Sequence, residues 1–150
     1  MPPQQVRPIA LCVFSYRGRI LVSESHDSLK SQHFYRPVGG GIQFGESSAT
    51  AVAREVREEL KAEVADLRLI GTLENIFSYN GVPGHEIVMV YDGKFSDGSL
   101  YELASIPGVE SNGALFMAKW HNLNEFSSQM PLYPSGLLEM LNTSAIHHAA

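Results

Sequence analysis

The residues best suited by type and spacing to do chemistry lie between Ala49 and Leu60, in A-T-A-V-A-R-E-V-R-E-E-L. On a helix turning about 100° per residue, Glu55, Glu58 and Glu59 fall together at i, i+3 and i+4. Ala49, Val52, Ala53, Val56 and Leu60 fall on the neighbouring side and predict a core-facing stripe. Like charges at i, i+4 cost an isolated helix a few tenths of a kcal/mol. No lysine stands four residues after any of the three glutamates, and Arg54, four residues before Glu58, offsets their charge in part. An acidic helix face is ordinarily a solvated one. This one follows closely on Gly39-Gly40-Gly41, read as a turn whose backbone can adopt positive φ and approach a ligand. Carboxylates beside an open glycine backbone suit divalent cations and the phosphates they carry.

The elements that must position this helix can be read from period and punctuation. Pro8 to Tyr16 and Ile20 to Ser25 predict a hairpin about Arg17-Gly18. Ser28 to His33 is polar and predicts a loop. Phe34 to Val38 is strand-like, with Pro37 placing it at an edge or in an irregular position. Ser47 and Ser48 are candidate helix caps, and neither glycine nor proline occurs from there to Leu60. Leu67 to Tyr79 and His85 to Phe95 predict a second hairpin about Asn80 to Gly84. Asp97 to Gly113 reads as a long loop of the kind that more often carries function. Ala114 to Trp120 is a last strand, and Pro134-Ser135 opens a short helix to Leu141. Hairpins outnumber βαβ signals, so the expected class is α+β: a mixed, largely antiparallel sheet flanked by helices in an α/β/α sandwich.

The 150 residues are 44% hydrophobic and 18% charged, which predicts one domain spanning residues 1–150. No apolar run nears the roughly 20 residues a bilayer needs, and the N-terminus does not read as a secretory signal. The expectation is a cytoplasmic protein without a membrane partner. Net charge is −5, with 11 basic against 16 acidic side chains and no basic block, so long nucleic acid is not an expected partner. Small phosphorylated ligands bridged by a cation remain open. Cys12, alone and in an apolar strand, reads as core filler. His147 and His148 fall in a tail where function is not expected.

The spacing around the helix resembles the Nudix box, G-x5-E-x7-R-E-U-x-E-E-x-G-U, with U a bulky aliphatic residue. Gly40, Glu46, Arg54, Glu55, Val56, Glu58 and Glu59 match it, and the flanking strands are similar to the family's over most of the chain. Two positions depart: Lys61 replaces the motif glycine and Ala62 the last aliphatic. A lysine forced into the left-handed region there would cost about 1 kcal/mol, so altered loop geometry is expected with the chemistry kept.

The resemblance implies a Nudix fold and a metal-dependent hydrolase acting on phosphoric anhydrides, with magnesium, or alternatively manganese, as cofactor. It implies Glu55, Glu58 and Glu59 as metal ligands, with a backbone carbonyl from Gly39-Gly40 completing the shell. Catalytic roles fall to Glu55, as ligand or base, to Glu58 and to Arg54, and Arg54 also braces the loop together with Glu46. Metal ions would neutralise the phosphates that otherwise repel hydroxide. A further acid from outside the box is typical; Glu86 and Glu102 rank equally as candidates, with Glu110 behind. Arg36, Gly41 and His85 join Glu86 and Glu102 as substrate-binding candidates. Phe34, Tyr35, Phe77, Tyr79 and Trp120 are the rings that either stack on a base or fill the core. The substrate implied is a small nucleoside diphosphate linked to another group, of sugar-nucleotide or ADP-ribose type. The competing readings are a triphosphate-sanitising pyrophosphohydrolase, relatives acting on capped RNA or inositol polyphosphates, and a non-catalytic nucleotide sensor. Many relatives are dimeric, so a homodimer is a further expectation.

Overall fold

The computed structural model describes residues 4–144; His147 and His148 lie outside that range. Eight strands and two helices follow the chain order β1 (Arg7–Tyr16), β2 (Arg19–Asp27), β3 (Gln32–Arg36), β4 (Val38–Gly41), α1 (Ser48–Leu60), β5 (Val64–Tyr79), β6 (Val82–Phe95), β7 (Ser105–Val109), β8 (Leu115–Asn122) and α2 (Leu137–Thr143). The sheet runs β5-β6-β1-β2-β8-β7, with β3 added on β2 and β4 on β1. Only β1 and β6 pair in parallel; the other strand pairs are antiparallel. The expected mixed sheet is the one observed.

Strand β1 organises both layers. Ala10, Cys12, Phe14 and Tyr16 face one way into a core with Val52, Val56 and Leu60 of α1. Ile9, Leu11 and Val13 face the other way, into a second core with Leu137 and Leu141 of α2. Burial on both faces explains why β1 reads as an unbroken apolar run and not as an alternation. The predicted helix stripe is met at Val52, Val56 and Leu60, while Ala51 is buried and Ala53 only half-buried. Alanine is small enough to sit at the margin of a stripe, so its position is weakly specified by the wheel.

Three expectations are corrected. The glycine run is not an open turn, because Gly39, Gly40 and Gly41 pair with Leu11, Ala10 and Ile9 as strand β4. The second hairpin turns on Asn80-Gly81 alone, at φ 50° and 80°, the two-residue geometry that Asn-Gly favours; Val82 to Gly84 already belong to β6. The presumed loop from Asp97 to Gly113 contains a 3₁₀ turn at Gly98–Glu102 and edge strand β7. Pro107 and Gly108 hid that strand, since both residues are depleted in strands except at edges.

Helix α1 starts at Ser47, whose hydroxyl accepts from the Thr50 amide at 3.2 Å. It ends at Lys61, which adopts the left-handed conformation at φ 56°, ψ 38°. The departure from the motif glycine therefore leaves the cap geometry as a glycine would make it, and the altered loop geometry expected for Lys61 is not seen. Its ammonium donates to the Glu58 carbonyl at 2.9 Å, repaying part of the backbone strain, and Ala62 is buried in the α1-side core. Lys61→Gly is expected to raise stability by up to about 1 kcal/mol, a rise of about 2–4 °C in melting temperature at this chain length. Thermal unfolding followed by circular dichroism checks it; a fall in melting temperature would show that the lysine's own contact outweighs the strain.

Candidate active site

Strand β4 pairs antiparallel with β1 beside helix α1, and the missing glycine side chains set how closely its neighbours approach. At Gly39, φ 152°, a Cβ would stand 2.1 Å from the Ala10 carbonyl oxygen. At Gly40 a Cβ would stand 2.5 Å from the Glu55 carboxyl carbon. The first glycine lets two strands meet, and the second lets a carboxylate lie flat on the strand backbone. Gly39→Ala is accordingly expected to cost several kcal/mol, because backbone must move. Gly40→Ala should leave stability nearly unchanged, because the Glu55 side chain can swing away, and should lower activity. Melting temperature and turnover measured on both variants separate the two roles.

Arg54 ties the helix to the loop that precedes it. Its Nε and Nη2 donate to the two oxygens of Glu46 at 2.7 and 2.9 Å. Nη2 also donates to the Gly41 carbonyl at 2.9 Å, and Nη1 to Glu55 at 3.0 Å and Glu58 at 3.2 Å. One planar guanidinium thus serves three carboxylates and a carbonyl, which a lysine could not do. Bidentate pairing with Arg54, together with the Gln43 amide, pulls the Glu46 carboxyl down to about 2. Glu46 is thereby a fixed anion that anchors the arginine.

Glu59 points the other way. Its Oε1 accepts from the Gly39 amide at 3.2 Å. Burial first, then the charge of Glu55, and less strongly that of Glu110, push its carboxyl up to about 8. Helix α1 thus brings Glu55 and Glu59 together against β4, while Glu58 is more than half exposed and held to Arg54. Among the described residues no three acidic, histidine or cysteine side chains are already gathered about one point. The donors nevertheless fit a hard divalent cation: they are oxygens throughout, and Glu59 sits among anions that disfavour its charge until a cation joins them. Those able to hold magnesium or manganese are Glu55, Glu58 and Glu59 with the backbone carbonyls of Gly39 and Gly40.

From Gly39 and Glu59 a cleft of about 530 Å³ runs between β3 and the end of β5, a size suited to a small ligand. Arg36, Glu86 and Asn75 form its wall: Arg36 donates to Glu86 at 3.1 Å, and the Asn75 amide approaches the same oxygen at 3.4 Å. Glu86 is only 5% exposed, and Arg36 supplies the partner that a carboxylate buried in a central strand requires. Glu110, ranked last of the three outlying acids in sequence, lines the cleft beside Glu59. Glu102 is not among the lining residues; it accepts from the Tyr16 hydroxyl at 2.7 Å. His85 is also outside the cleft, with a buried Nε2 that has no hydrogen-bond partner among the described residues. Gly41 takes part through its carbonyl bond to Arg54. Trp120 and Tyr35 belong to the two cores, whereas Phe34, Phe77 and Tyr79 line the cleft with Tyr133. The sequence reading passed over Asn75 and Tyr133, since each enters the cleft only through strand pairing or a returning loop.

The chain is similar in sequence and in fold to known proteins. NAD-capped RNA hydrolase NudC of Mycobacterium tuberculosis is 29% identical over 102 residues, 67% of this chain; those residues are 33% of that protein, so the chain spans about a third of the mycobacterial relatives it matches. RNA pyrophosphohydrolase of Bartonella clarridgeiae is 28% identical over 136 residues, covering 80% of this chain and 78% of its own. In fold, the chain is similar to a MutT NUDIX hydrolase from Burkholderia pseudomallei, with TM-score 0.67 and 21% identity over 94% of this chain and 100% of that one. A NUDIX hydrolase from Nitrosomonas europaea gives TM-score 0.62 and 15% identity over 92% and 87%. No helix among the described residues is long and apolar enough to cross a membrane. The family model for the NUDIX domain matches residues 4–141, nearly the whole chain, and the protein belongs to the Nudix hydrolase family.

Proposed function

We propose that this chain is a metal-dependent hydrolase that cuts the diphosphate of a nucleoside diphosphate joined to a second group, of sugar-nucleotide or ADP-ribose type. The observation that carries the reading is Glu59, bound to the Gly39 amide where both line a ligand-sized cleft, with Glu55 seated nearby against Gly40. Glu55, Glu58, Glu59 and the carbonyls of Gly39-Gly40 would hold magnesium or manganese. A bound divalent cation neutralises phosphate oxygens and acidifies water. Arg54 engages one oxygen of Glu55 and holds the carboxylate so that its other oxygen can take a proton from the attacking water. Arg36, anchored on Glu86 and 28% exposed on the cleft wall, would donate to a non-bridging phosphate oxygen. Catalysis then rests on positioning and charge.

The test is a panel of sugar nucleotides, ADP-ribose, dinucleoside diphosphates and nucleoside triphosphates with magnesium, with products identified. The expected outcome is a nucleoside monophosphate plus a phosphorylated second group. Pyrophosphate released from triphosphates alone would move the reading to a sanitising enzyme. Tight nucleotide binding without any turnover would make the chain a sensor.

A second reading is hydrolysis at the 5′ end of RNA, favoured by the names of the mycobacterial and Bartonella relatives. The net charge of −5 and the lack of a basic block in sequence work against a long RNA track. A dinucleoside diphosphate and the same group on an RNA 5′ end, assayed side by side, distinguish them: a strong preference for the RNA would favour the second reading.

A further inference from the structure

The sheet parts into two halves, and that parting makes the cleft. Strands β1 and β2 pair only at Ser15–Ile20 and Tyr16–Arg19. Elsewhere β1 takes β4 and β6 as partners, while β2 takes β3 and β8. Strands that diverge in this way leave a trough open at its far end unless something joins the walls. Two sets of contacts do so. Midway, Arg36 on one wall reaches Glu86 on the other at 3.1 Å. At the far end, the turn after β2 is bonded to the tip of the β5–β6 hairpin.

Asp27 is the centre of the second set. It is 2% exposed, and its oxygens accept from backbone amides on both walls, Lys30 at 3.0 Å and Asn80 at 3.1 Å. Those amides, Lys30 foremost, hold the Asp27 carboxyl below its usual range and keep it an anion. The Asn80 side-chain oxygen accepts in return from the Ser28 amide at 2.8 Å and the Ser28 hydroxyl at 3.0 Å. The Lys30 ammonium donates to the Ser78 carbonyl at 2.9 Å. Leu29 lies over Gly81, where a Cβ would stand 3.1 Å from its Cδ2. An aspartate side chain is short, and here it reaches main chain 53 residues away, so the walls stand one side chain apart. Asp27, Lys30 and Ser78 themselves line the cleft. Their join is its end wall.

We propose that the strap formed by Asp27, Ser28, Lys30 and Asn80 is a specificity determinant: it closes the far end of the cleft and restricts the substrate to a diphosphate whose attached group ends inside. It rests on reading the acidic end, at Gly39 and Glu59, as the diphosphate site. A cleft of about 530 Å³ holds a small ligand. The same diphosphate on the 5′ end of RNA carries further nucleotides, and those running toward the strap meet bonded backbone. A clash built against the larger substrate discriminates without any new contact to the smaller one. The strap thus acts on size, whereas Arg36 and the glutamates act on the phosphates.

The test is kcat/KM of the full chain for a dinucleoside diphosphate beside the same group on a short RNA. The parent should prefer the free dinucleotide at least about tenfold, and Asn80→Gly should bring that ratio to about threefold or less by raising the rate on the RNA. Glycine keeps the left-handed turn that Asn80 makes at φ 50° and removes both Ser28 bonds. Asp27→Asn and Lys30→Met also loosen the strap, but they change net charge in opposite directions. A rise on the RNA in both is therefore steric, and loss of stability cannot produce a rise. A parent without the preference overturns the proposal, as does an RNA rate that rises in none of the variants that fold. A rise confined to Asp27→Asn is a charge effect and overturns it too. Where neither ligand is hydrolysed, the hydrolase reading falls and the same two ligands are compared by isothermal titration. A preference for the dinucleotide that Asn80→Gly abolishes then upholds the strap, and its absence overturns it. Hydrolysis of both ligands at one ratio in parent and variants keeps the hydrolase reading and removes the strap.

Discussion

Glu59→Gln is expected to lower turnover by about three orders of magnitude, the scale of losing several kcal/mol of charge stabilisation at a metal site. The same variant should unfold at an equal or higher temperature than the parent in the absence of metal. The second expectation follows from the carboxyl's position. Burial and the neighbouring charges of Glu55 and Glu110 push Glu59 up to about 8 from its usual 4.5. A carboxyl whose folded value is raised stabilises the fold fully below about 4.5, and that contribution is lost as pH rises through about 8. The metal-free parent should therefore lose stability across that window, and magnesium should restore more of it at pH 8 than at pH 5. Glutamine imitates the neutral carboxyl, so the variant should match the parent near pH 4.5, exceed it at pH 8 and gain little from magnesium. Melting curves at both pH values with and without EDTA, beside initial rates, give the full comparison. Full activity in Glu59→Gln would remove this residue from the metal site. Glu58→Gln, made in parallel, should also cut turnover strongly, but its exposed side chain should leave stability unaffected.

The second large effect is expected at Arg54. Arg54→Ala leaves Glu46 and Glu55, both mostly buried, without their shared cation. Breaking a buried pair from one side costs more than the pair contributed, because an anion is left behind. With part of each group solvated, a loss of about 2–3 kcal/mol is expected, or about 5–10 °C in melting temperature. Activity should fall further than stability explains, because Glu55 loses the contact that fixes its orientation. Arg54→Lys should recover some stability and little activity, since an ammonium cannot serve Glu46 in bidentate fashion while reaching Gly41 and Glu55. Removing Glu46 as well, by Glu46→Gln, should cost less in the Arg54→Ala background than in the parent. Additive losses would show that the two side chains do not act as one unit.

How much of this was legible beforehand can be followed residue by residue. Helix α1 was readable because its information is local: a cap, an unbroken run of helix formers and a 3.6-residue stripe. The box resemblance set Gly40, Glu46, Arg54, Glu55, Glu58 and Glu59 in register; the structure joins Glu46, Glu55 and Glu58 through Arg54, seats Glu55 on Gly40, and ties Glu59 separately to the Gly39 amide. Strand β7 was not legible, since a proline and a glycine in five residues argue against a strand unless it lies at a sheet edge, and only the pairing with β8 puts it there. Lys61 illustrates a different limit. Composition shows that a lysine stands where a glycine is usual, but not that the backbone accepts the left-handed turn and finds a carbonyl for the ammonium.

By itself, then, the sequence determined the helix of the candidate site: its cap, its apolar stripe and the spacing of Glu55, Glu58 and Glu59 follow from short-range rules, whereas the glycine run becomes a strand only by pairing with β1. Only the tertiary structure decided the rest of the cleft. Glu86 meets Arg36 and Asn75 there, Glu110 and not Glu102 faces Glu59, and Phe34 meets Tyr79 and Tyr133. Those partners are separated by tens of residues, and their meeting depends on strand register and loop closure. A single residue of slip in a strand would turn each side chain to the opposite face, which is why the sequence offered Arg36, Glu86, Glu110, Phe34 and Tyr79 as separate candidates and could not say which of them meet.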